Sequence, residues 1–160
     1  MGKNPTDRQG FPPNMIRLCI DGYDNDIKGR MYSKMNQEPI EFDNCCEMFL
    51  KADEMFERNG YPQSFCDSRN FIKGTVKGRY DLPNLHKEPL FKDEDLQRQA
   101  GLLCTLDVLI RSRRQASWQG IIKMEDDTRI HEFHCAMELL RCIEKIIKKN
   151  DHNLQAQIIQ

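Results

Sequence analysis

The chain has 160 residues and a mass of 18.9 kDa, the size of one ordinary domain. Its 24 Lys and Arg residues nearly balance its 25 Asp and Glu residues, so a net charge of -1 excludes a generally basic surface for non-specific nucleic-acid binding. No apolar run approaches the roughly 18 residues of a membrane span, and the polar, turn-rich start contains no secretory signal. We therefore expect a cytoplasmic protein without a membrane partner.

Seven cysteines are an odd number, and no C-x-x-C motif occurs among them. This pattern favours the reduced thiols of the cytoplasm over a disulfide framework. The ligand-type residues His131, His134 and Cys135 lie close together, which leaves a metal site as an alternative. Structural zinc needs four convergent ligands, so the sequence predicts no metal and no other cofactor.

The most informative feature is an internal repeat. Aligning the first third of the chain with the last third places Gly29 on Gly120 and Phe42 on Phe133, with no gap up to Asn59 on Asn150. The apolar stripes of two predicted helices then coincide, with the i, i+3, i+4, i+7 spacing of an amphipathic helix. These stripes are Cys45, Met48, Phe49, Ala52, Met55 and Phe56 in the first copy, and Ala136, Leu139, Leu140, Ile143, Ile146 and Ile147 in the second. The match predicts a duplicated unit.

Each copy is predicted to contain three strands followed by a helix. In the first copy we expect strands over 15–20, 28–33 and 39–42 and a helix over 44–59. In the second we expect strands over 102–111, 117–124 and 129–133 and a helix over 135–149. Asn44 and Gly60 have the chemistry of helix caps. The predicted fold is α+β, with two βββα units packed around a pseudo-two-fold axis and hairpin loops of different length.

The predicted organisation is a single domain between two terminal segments. Its parts are a flexible N-terminus (1–13), a domain (14–150) made of repeat 1 (14–60), a linker or insertion (61–100) and repeat 2 (101–150), and a C-terminal tail (151–160). Within the insertion we expect a strand over 71–76 and a short helix over 93–99.

The string from Arg111 to Gly120 is the most distinctive local sequence, because three arginines precede the only tryptophan at a predicted hairpin. Guanidinium groups bind phosphate, and a Trp face can stack on a base. These properties predict an anion or nucleotide site formed by Arg111, Arg113, Arg114, Ser117 and Trp118. The alternative is that the arginines form a solvated strand end and the tryptophan packs on the core.

The corresponding hairpin of the first copy is acidic, with Asp21, Asp24 and Asp26. One copy therefore presents acid where the other presents base. This asymmetry could pair the two hairpins or drive association between molecules.

The string Arg114-Gln115-Ala116-Ser117-Trp118-Gln119-Gly120 resembles a family of small Firmicutes proteins whose usual form is R-Q-N-x-S/T-W-Q-G. Gly29 to Ser33 and Gly60 to Gln63 resemble the first half of that family. Ala116 directly follows Gln115 here, so the usual Asn is missing. The family has no established activity, and the resemblance implies only a bacterial, cytosolic origin and the limits of the domain.

The same string is similar to half of the cyclic-di-GMP motif of PilZ domains. In that family an R-x-x-x-R loop lies well upstream, whereas Arg111, Arg113 and Arg114 adjoin the motif here. Gln115 replaces the acid or amide, and the duplication conflicts with a six-stranded PilZ barrel. The PilZ interpretation is therefore not favoured.

Enzyme motifs are absent from the sequence: no G-x-S-x-G, Walker A, H-E-x-x-H or dinucleotide glycine pattern occurs. A thiol–imidazole pair of Cys45 or Cys46 with His131 or His134 is an alternative, since both would lie near helix starts. The sequence favours a non-enzymatic protein that binds a protein partner or itself. Binding of a nucleotide or single-stranded nucleic acid through the Arg/Trp hairpin is the second hypothesis.

Overall fold

The computed structural model describes residues 10–60, 62, 64–65, 90–115, 117–125 and 127–158. They form an α+β fold in which a six-stranded antiparallel sheet is combined with three helices. A further strand of two residues adds a short parallel pairing beside the sheet.

The elements follow the chain in an order that repeats three strands and a helix. The first group is β1 (Met15–Asp24), β2 (Asp26–Tyr32), β3 (Ile40–Phe42) and α1 (Cys45–Asn59). Next come β4 (Ser64–Phe65) and α2 (Asp93–Gln97). The last group is β5 (Cys104–Arg114), β6 (Gln119–Met124), β7 (Ile130–Phe133) and α3 (Ala136–Ile158).

The sheet order is β3-β2-β1-β5-β6-β7, so β1 and β5 are the central pair. They run antiparallel, with Arg17 directly opposite Asp107. Because these strands run in opposite directions, the β1–β2 turn and the β5–β6 turn lie at opposite ends of the sheet. β4 pairs with Arg113 and Arg114, beyond the point where β1 pairs with β5.

Alternation of apolar residues along β1 determines which sheet face is covered by the long helices. Ile16, Leu18 and Ile20 point to one face and join a single core with the apolar stripes of α1 and α3. We call this the helix face. The opposite face, called the outer face, carries Arg17 and Cys19, and both are buried. The predicted alternation of this strand is confirmed, and the strand extends further, to Asp24.

Helix α1 begins and ends at the cap residues that the sequence predicted. The Asn44 side chain accepts a hydrogen bond of 2.8 Å from the backbone N–H of Glu47, and Gly60 adopts the left-handed conformation with φ of 67°. α3 continues to Ile158, beyond the predicted end at 149 and through much of the predicted tail. No Gly or Pro interrupts the chain there, so the two residues that most strongly end a helix are absent.

The segment between the two groups is partly described. The short helix predicted over 93–99 is present as α2, whereas the strand predicted over 71–76 lies outside the described residues. α2 and its flanks lie on the outer face, where Leu96 and Phe91 pack with Cys19 and Tyr32. This part of the predicted linker therefore covers the sheet.

The glycines Gly29 and Gly120 lie where two backbones come closest. Each lies beside a β-bulge of its hairpin. A Cβ on Gly29 would lie 2.0 Å from the carbonyl oxygen of Cys19, and one on Gly120 would lie 1.9 Å from that of Leu109. Backbone atoms cannot move aside as a flexible side chain can, so any larger residue must separate the strands.

Gly29→Ala is expected to lower the free energy of unfolding by about 1–3 kcal/mol, the usual cost of overpacking. Urea unfolding monitored by circular dichroism measures this. Gly22→Ala is the matched control, because its new methyl group would meet only the flexible Lys28 side chain. Equal stability of the two variants would contradict the close approach at Gly29.

Candidate functional site

The predicted Arg/Trp hairpin connects β5 and β6 and also anchors α3. Gln115 adopts a positive φ of 55° in the turn. The Ser117 hydroxyl accepts a hydrogen bond of 3.0 Å from the backbone N–H of Ala136, at the first turn of α3. Ser117 therefore satisfies a free backbone N–H at the start of α3, a role that the sequence did not predict.

Arg113 lies in the interior and is surrounded by acceptors. Only 3 % of its side chain is exposed, and its Nη2 atom lies 2.6 Å from Asp53 Oδ1 and 2.7 Å from Glu57 Oε1. Its Nη1 atom donates to the Pro62 carbonyl at 3.0 Å, and its guanidinium lies over the Phe56 ring. Two carboxylates of α1 thus already neutralise this arginine.

Trp118 packs on the core, as the second of the two sequence interpretations predicted. It is 5 % exposed and meets the rings of Phe49 and Phe56 edge to face at centroid distances of 5.0 and 5.8 Å. Its Nε1 atom donates to Asp53 Oδ1 at 3.2 Å. A stacking platform must present a ring face to the base, and a ring that is almost fully buried does not meet that condition.

Arg111 and Arg114 are the exposed members of the predicted anion site. Arg111 forms an ion pair of 3.1 Å with Glu132. The five predicted residues therefore separate into two interior side chains, one helix cap and two surface arginines. Any anion site at this hairpin would depend on Arg111 and Arg114, and it stays a prediction.

The acidic hairpin has its own partners in the chain. Asp21 forms an ion pair with Arg30 at 2.9 Å, and this guanidinium holds the pKa of the Asp21 carboxyl below its usual value. Asp26 accepts a hydrogen bond of 3.1 Å from the backbone N–H of Cys45. Because the two hairpins lie at opposite ends of the sheet, they do not pair with each other within one molecule.

The thiols and imidazoles singled out in the sequence are not brought together. Cys45 lies at the start of α1 beside Asp26, whereas His134 precedes α3 at the other end of the sheet and bonds to Glu138. Burial, helped by Asp26, raises the pKa of the Cys45 thiol to about 11, so little of it is the reactive thiolate at neutral pH. Within the described residues, no group of three or more His, Cys, Asp or Glu side chains could hold a metal ion.

A buried ionic network at the centre of the outer face was missed in the sequence. Arg17 is 3 % exposed and pairs with Asp107 at 3.1 Å and with Glu125 at 2.6 Å. It also donates to the carbonyls of Gln97 and Gln99, at 3.3 and 2.8 Å. The network therefore fastens the end of α2 to the sheet. An arginine inside an apolar strand was the available signal.

The outer face is covered unequally. Over β1 and β2, the α2 segment buries Cys19 and Tyr32. Thr105 and Asp107 of β5 lie beside the segment that follows α2, but no described helix or strand lies over the rest of the outer face of β5, β6 and β7. We call this area the open half, and its residues are Leu109, Ile121, Lys123, Ile130 and Glu132.

The open half combines apolar and charged side chains. Leu109 and Ile121 lie opposite each other on neighbouring strands and are half-buried, while Ile130 is 52 % exposed. Lys123 lies between Asp107 and Ile130 in the next cross-strand row. Such a mixture of apolar residues with a charged border is typical of protein interfaces.

None of the helices within the described ranges combines the length and apolar character of a membrane span. Comparisons with family models, with curated proteins and with solved structures found no match to this chain, and the resemblance to the Firmicutes family stays a prediction.

Proposed function

We propose that this chain is a non-enzymatic interaction domain that binds a protein, either another partner or a copy of itself, through the open half of its sheet. The observation that carries the proposal is the unequal cover of the outer face. The β1–β2 side has an apolar lid in which Leu96 is fully buried, whereas Ile130 on the other side is about half exposed. Apolar area that the chain leaves in water is stabilised when a partner covers it.

The charges of the open half favour a protein over a nucleic acid. Arg111 is paired with Glu132, and Lys123 lies beside Asp107. The surface is therefore mixed in sign, whereas phosphate backbones are bound by surfaces with an excess of positive charge. A protein partner with apolar residues and a few compensating charges fits this surface better.

We also infer that the two βββα units are copies related by a pseudo-two-fold axis that passes between Arg17 and Asp107. Matching contacts support this inference. Glu47 accepts from the N–H of Asp43 as Glu138 does from that of His134. The capping contact of Asp26 with Cys45 corresponds to that of Ser117 with Ala136.

The inferred duplication explains why the unequal burial of the two outer faces is informative. Two similar units would bury their outer faces to similar extents, but α2 covers only the first. Among the described residues, the second unit therefore retains an exposed surface that corresponds to the one α2 covers in the first unit.

Photo-crosslinking tests the proposed function. Ile121 is replaced by the photoreactive residue p-benzoylphenylalanine, and the protein is irradiated in the cells that produce it. We expect covalent adducts with protein, identified by mass spectrometry as a second copy or as another chain. The matched control carries the same residue at Glu54, which is exposed on α1. Adducts at both positions alike, or at neither, would contradict the proposal.

A further inference from the structure

Building on the proposed function, we infer that a second copy of this chain binds at the β7 edge of the open half, where the two β7 strands pair antiparallel to form one continuous sheet. The inference rests on a comparison of the two edge strands, β3 and β7. Both have the same register on their neighbours: Phe42 lies opposite Gly29 in one, and Phe133 lies opposite Gly120 in the other. The edges can therefore be compared residue by residue.

The β3 edge is protected against pairing with another strand. Pro39 precedes the strand and has no N–H to donate. Lys51 of α1 donates from Nζ to the Glu41 carbonyl at 2.8 Å. In an antiparallel pair, a residue directs its N–H and C=O either both toward its neighbour or both away. The Glu41 carbonyl points away from β2, so Lys51 occupies an acceptor that a new strand would need.

The β7 edge lacks both devices. Ile130 occupies the place of Pro39, and Cys142 occupies the place of Lys51 on the corresponding helix. By the same geometry, Ile130 and Glu132 direct their N–H and C=O groups away from β6. Among the described residues, no hydrogen bond satisfies these four groups. An edge strand with free backbone groups is a template for another strand.

A second copy of β7 fits this edge in one register. Residues opposite each other in a sheet lie on the same face, so the positions of two paired residues differ by an even number. A two-fold axis perpendicular to the sheet therefore places one residue of β7 opposite the same residue of the second copy. A register centred on His131 places Ile130 opposite Glu132 of the second copy and uses all four free groups of each chain. A register centred on Glu132 would instead oppose two carboxylates.

The charges of the outer face agree with the His131-centred register. The cross-strand row of Asp107, Lys123 and Ile130 continues into Glu132 of the second copy. In this row only Ile130 separates the Lys123 ammonium group from the Glu132 carboxylate of the second copy. Each Ile130 also lies in the row that contains Leu109 and Ile121 of the second copy. The internal β1–β5 junction already joins two three-stranded units in this antiparallel manner. Because β7 has only four residues, we expect a weak dimer with a micromolar dissociation constant.

Ile130→Pro tests the inference by giving β7 the protection that Pro39 gives β3. The outward N–H of Ile130 makes no hydrogen bond to any residue that the structure describes, so we expect the variant to fold normally. Sedimentation equilibrium over a series of concentrations should show a dimer dissociation constant raised at least about tenfold. Ile130→Val is the matched control, because it retains the N–H and a β-branched side chain, and it should dimerise as the native chain does.

A cysteine at the axis tests the register. In a Cys46→Ser background, which removes an exposed thiol, His131→Cys should form an intermolecular disulfide under mild oxidation. Residues opposite each other in a pair that shares no hydrogen bonds have Cα atoms about 4.5 Å apart, a separation that a disulfide spans. Glu41→Cys on the protected edge is the control and should not crosslink.

The inference is overturned if the native chain is monomeric over the whole concentration series, or if Ile130→Pro dimerises as well as Ile130→Val. Capture of a different protein at position 121 by a monomeric chain would leave the proposed function standing while this inference fails. A monomeric chain without adducts at position 121 would contradict both.

Discussion

Arg17→Met is expected to lower the free energy of unfolding at neutral pH by about 3–5 kcal/mol, because it leaves a buried carboxylate without its counter-charge. Arg17 is almost fully buried, and Asp107, the more buried of its two carboxylate partners, has only 21 % of its side chain exposed. The loss also releases the carbonyls of Gln97 and Gln99, so the α2 segment should open first. Urea unfolding measures the stability, and hydrogen exchange of residues 93–103 measures the opening.

The pH dependence of this variant separates charge from packing. Burial raises the pKa of Asp107 above its usual value, and the Arg17 charge partly offsets the rise. A carboxyl whose pKa is higher in the folded state stabilises the fold at low pH, and this contribution is lost as pH rises through that pKa. Without Arg17 the pKa of Asp107 rises further. The stability deficit of the variant should therefore shrink as the pH falls from neutral into the acid range.

Arg17→Met combined with Asp107→Leu is the control. It replaces the ion pair with apolar side chains, and we expect it to recover most of the lost stability. A deficit that is the same at every pH, or no recovery in the double variant, would contradict an electrostatic role for Arg17.

Trp118→Ala is expected to cost about 3–5 kcal/mol, the range for removing a large aromatic side chain from a core. The ring lies against Phe49 and Phe56, and the cavity left behind would separate α1 from the sheet. Trp118→Phe should retain most of the stability, because it loses mainly the hydrogen bond to Asp53, worth about 1 kcal/mol. Thermal unfolding of the two variants measures the difference, and similar losses in both would contradict core packing.

The fluorescence of this single tryptophan also tests the nucleotide hypothesis. A buried indole emits at short wavelength, and titration with cyclic dinucleotides or oligonucleotides should leave the emission unchanged. Saturable quenching that disappears in Arg111→Ala combined with Arg114→Ala would instead support an anion site at the hairpin, because these are its two exposed arginines.

Local chemistry explains which elements could be predicted. The cap residues Asn44 and Gly60 satisfy the ends of α1 from positions within the same turn. The alternation along β1 and the apolar stripe of α1 likewise depend only on the period of strand and helix. The α+β class and the positions of six strands followed from these patterns.

Residues whose roles depend on distant partners could not be assigned from the sequence. Ser117 and Trp118 were predicted together as members of one site, yet one caps α3 and the other packs against α1. Arg113 looked like its exposed neighbour Arg114, but a β-bulge in β5 turns it toward the carboxylates of α1. A bulge changes the face on which a side chain lies, and the sequence gives little sign of it.

The sequence by itself determined the α+β class, most of the elements, their repeated order and the absence of a net basic charge, because each of these depends on residues near one another in the chain or on a simple sum. Only the tertiary structure decided that α2 covers one half of the outer face, that Arg17 is buried there, and that Lys51 protects one edge while Ile130 leaves the other open. Burial and hydrogen bonding at a sheet edge depend on which distant segments meet, and that information lies in the packing of the chain rather than in any local pattern.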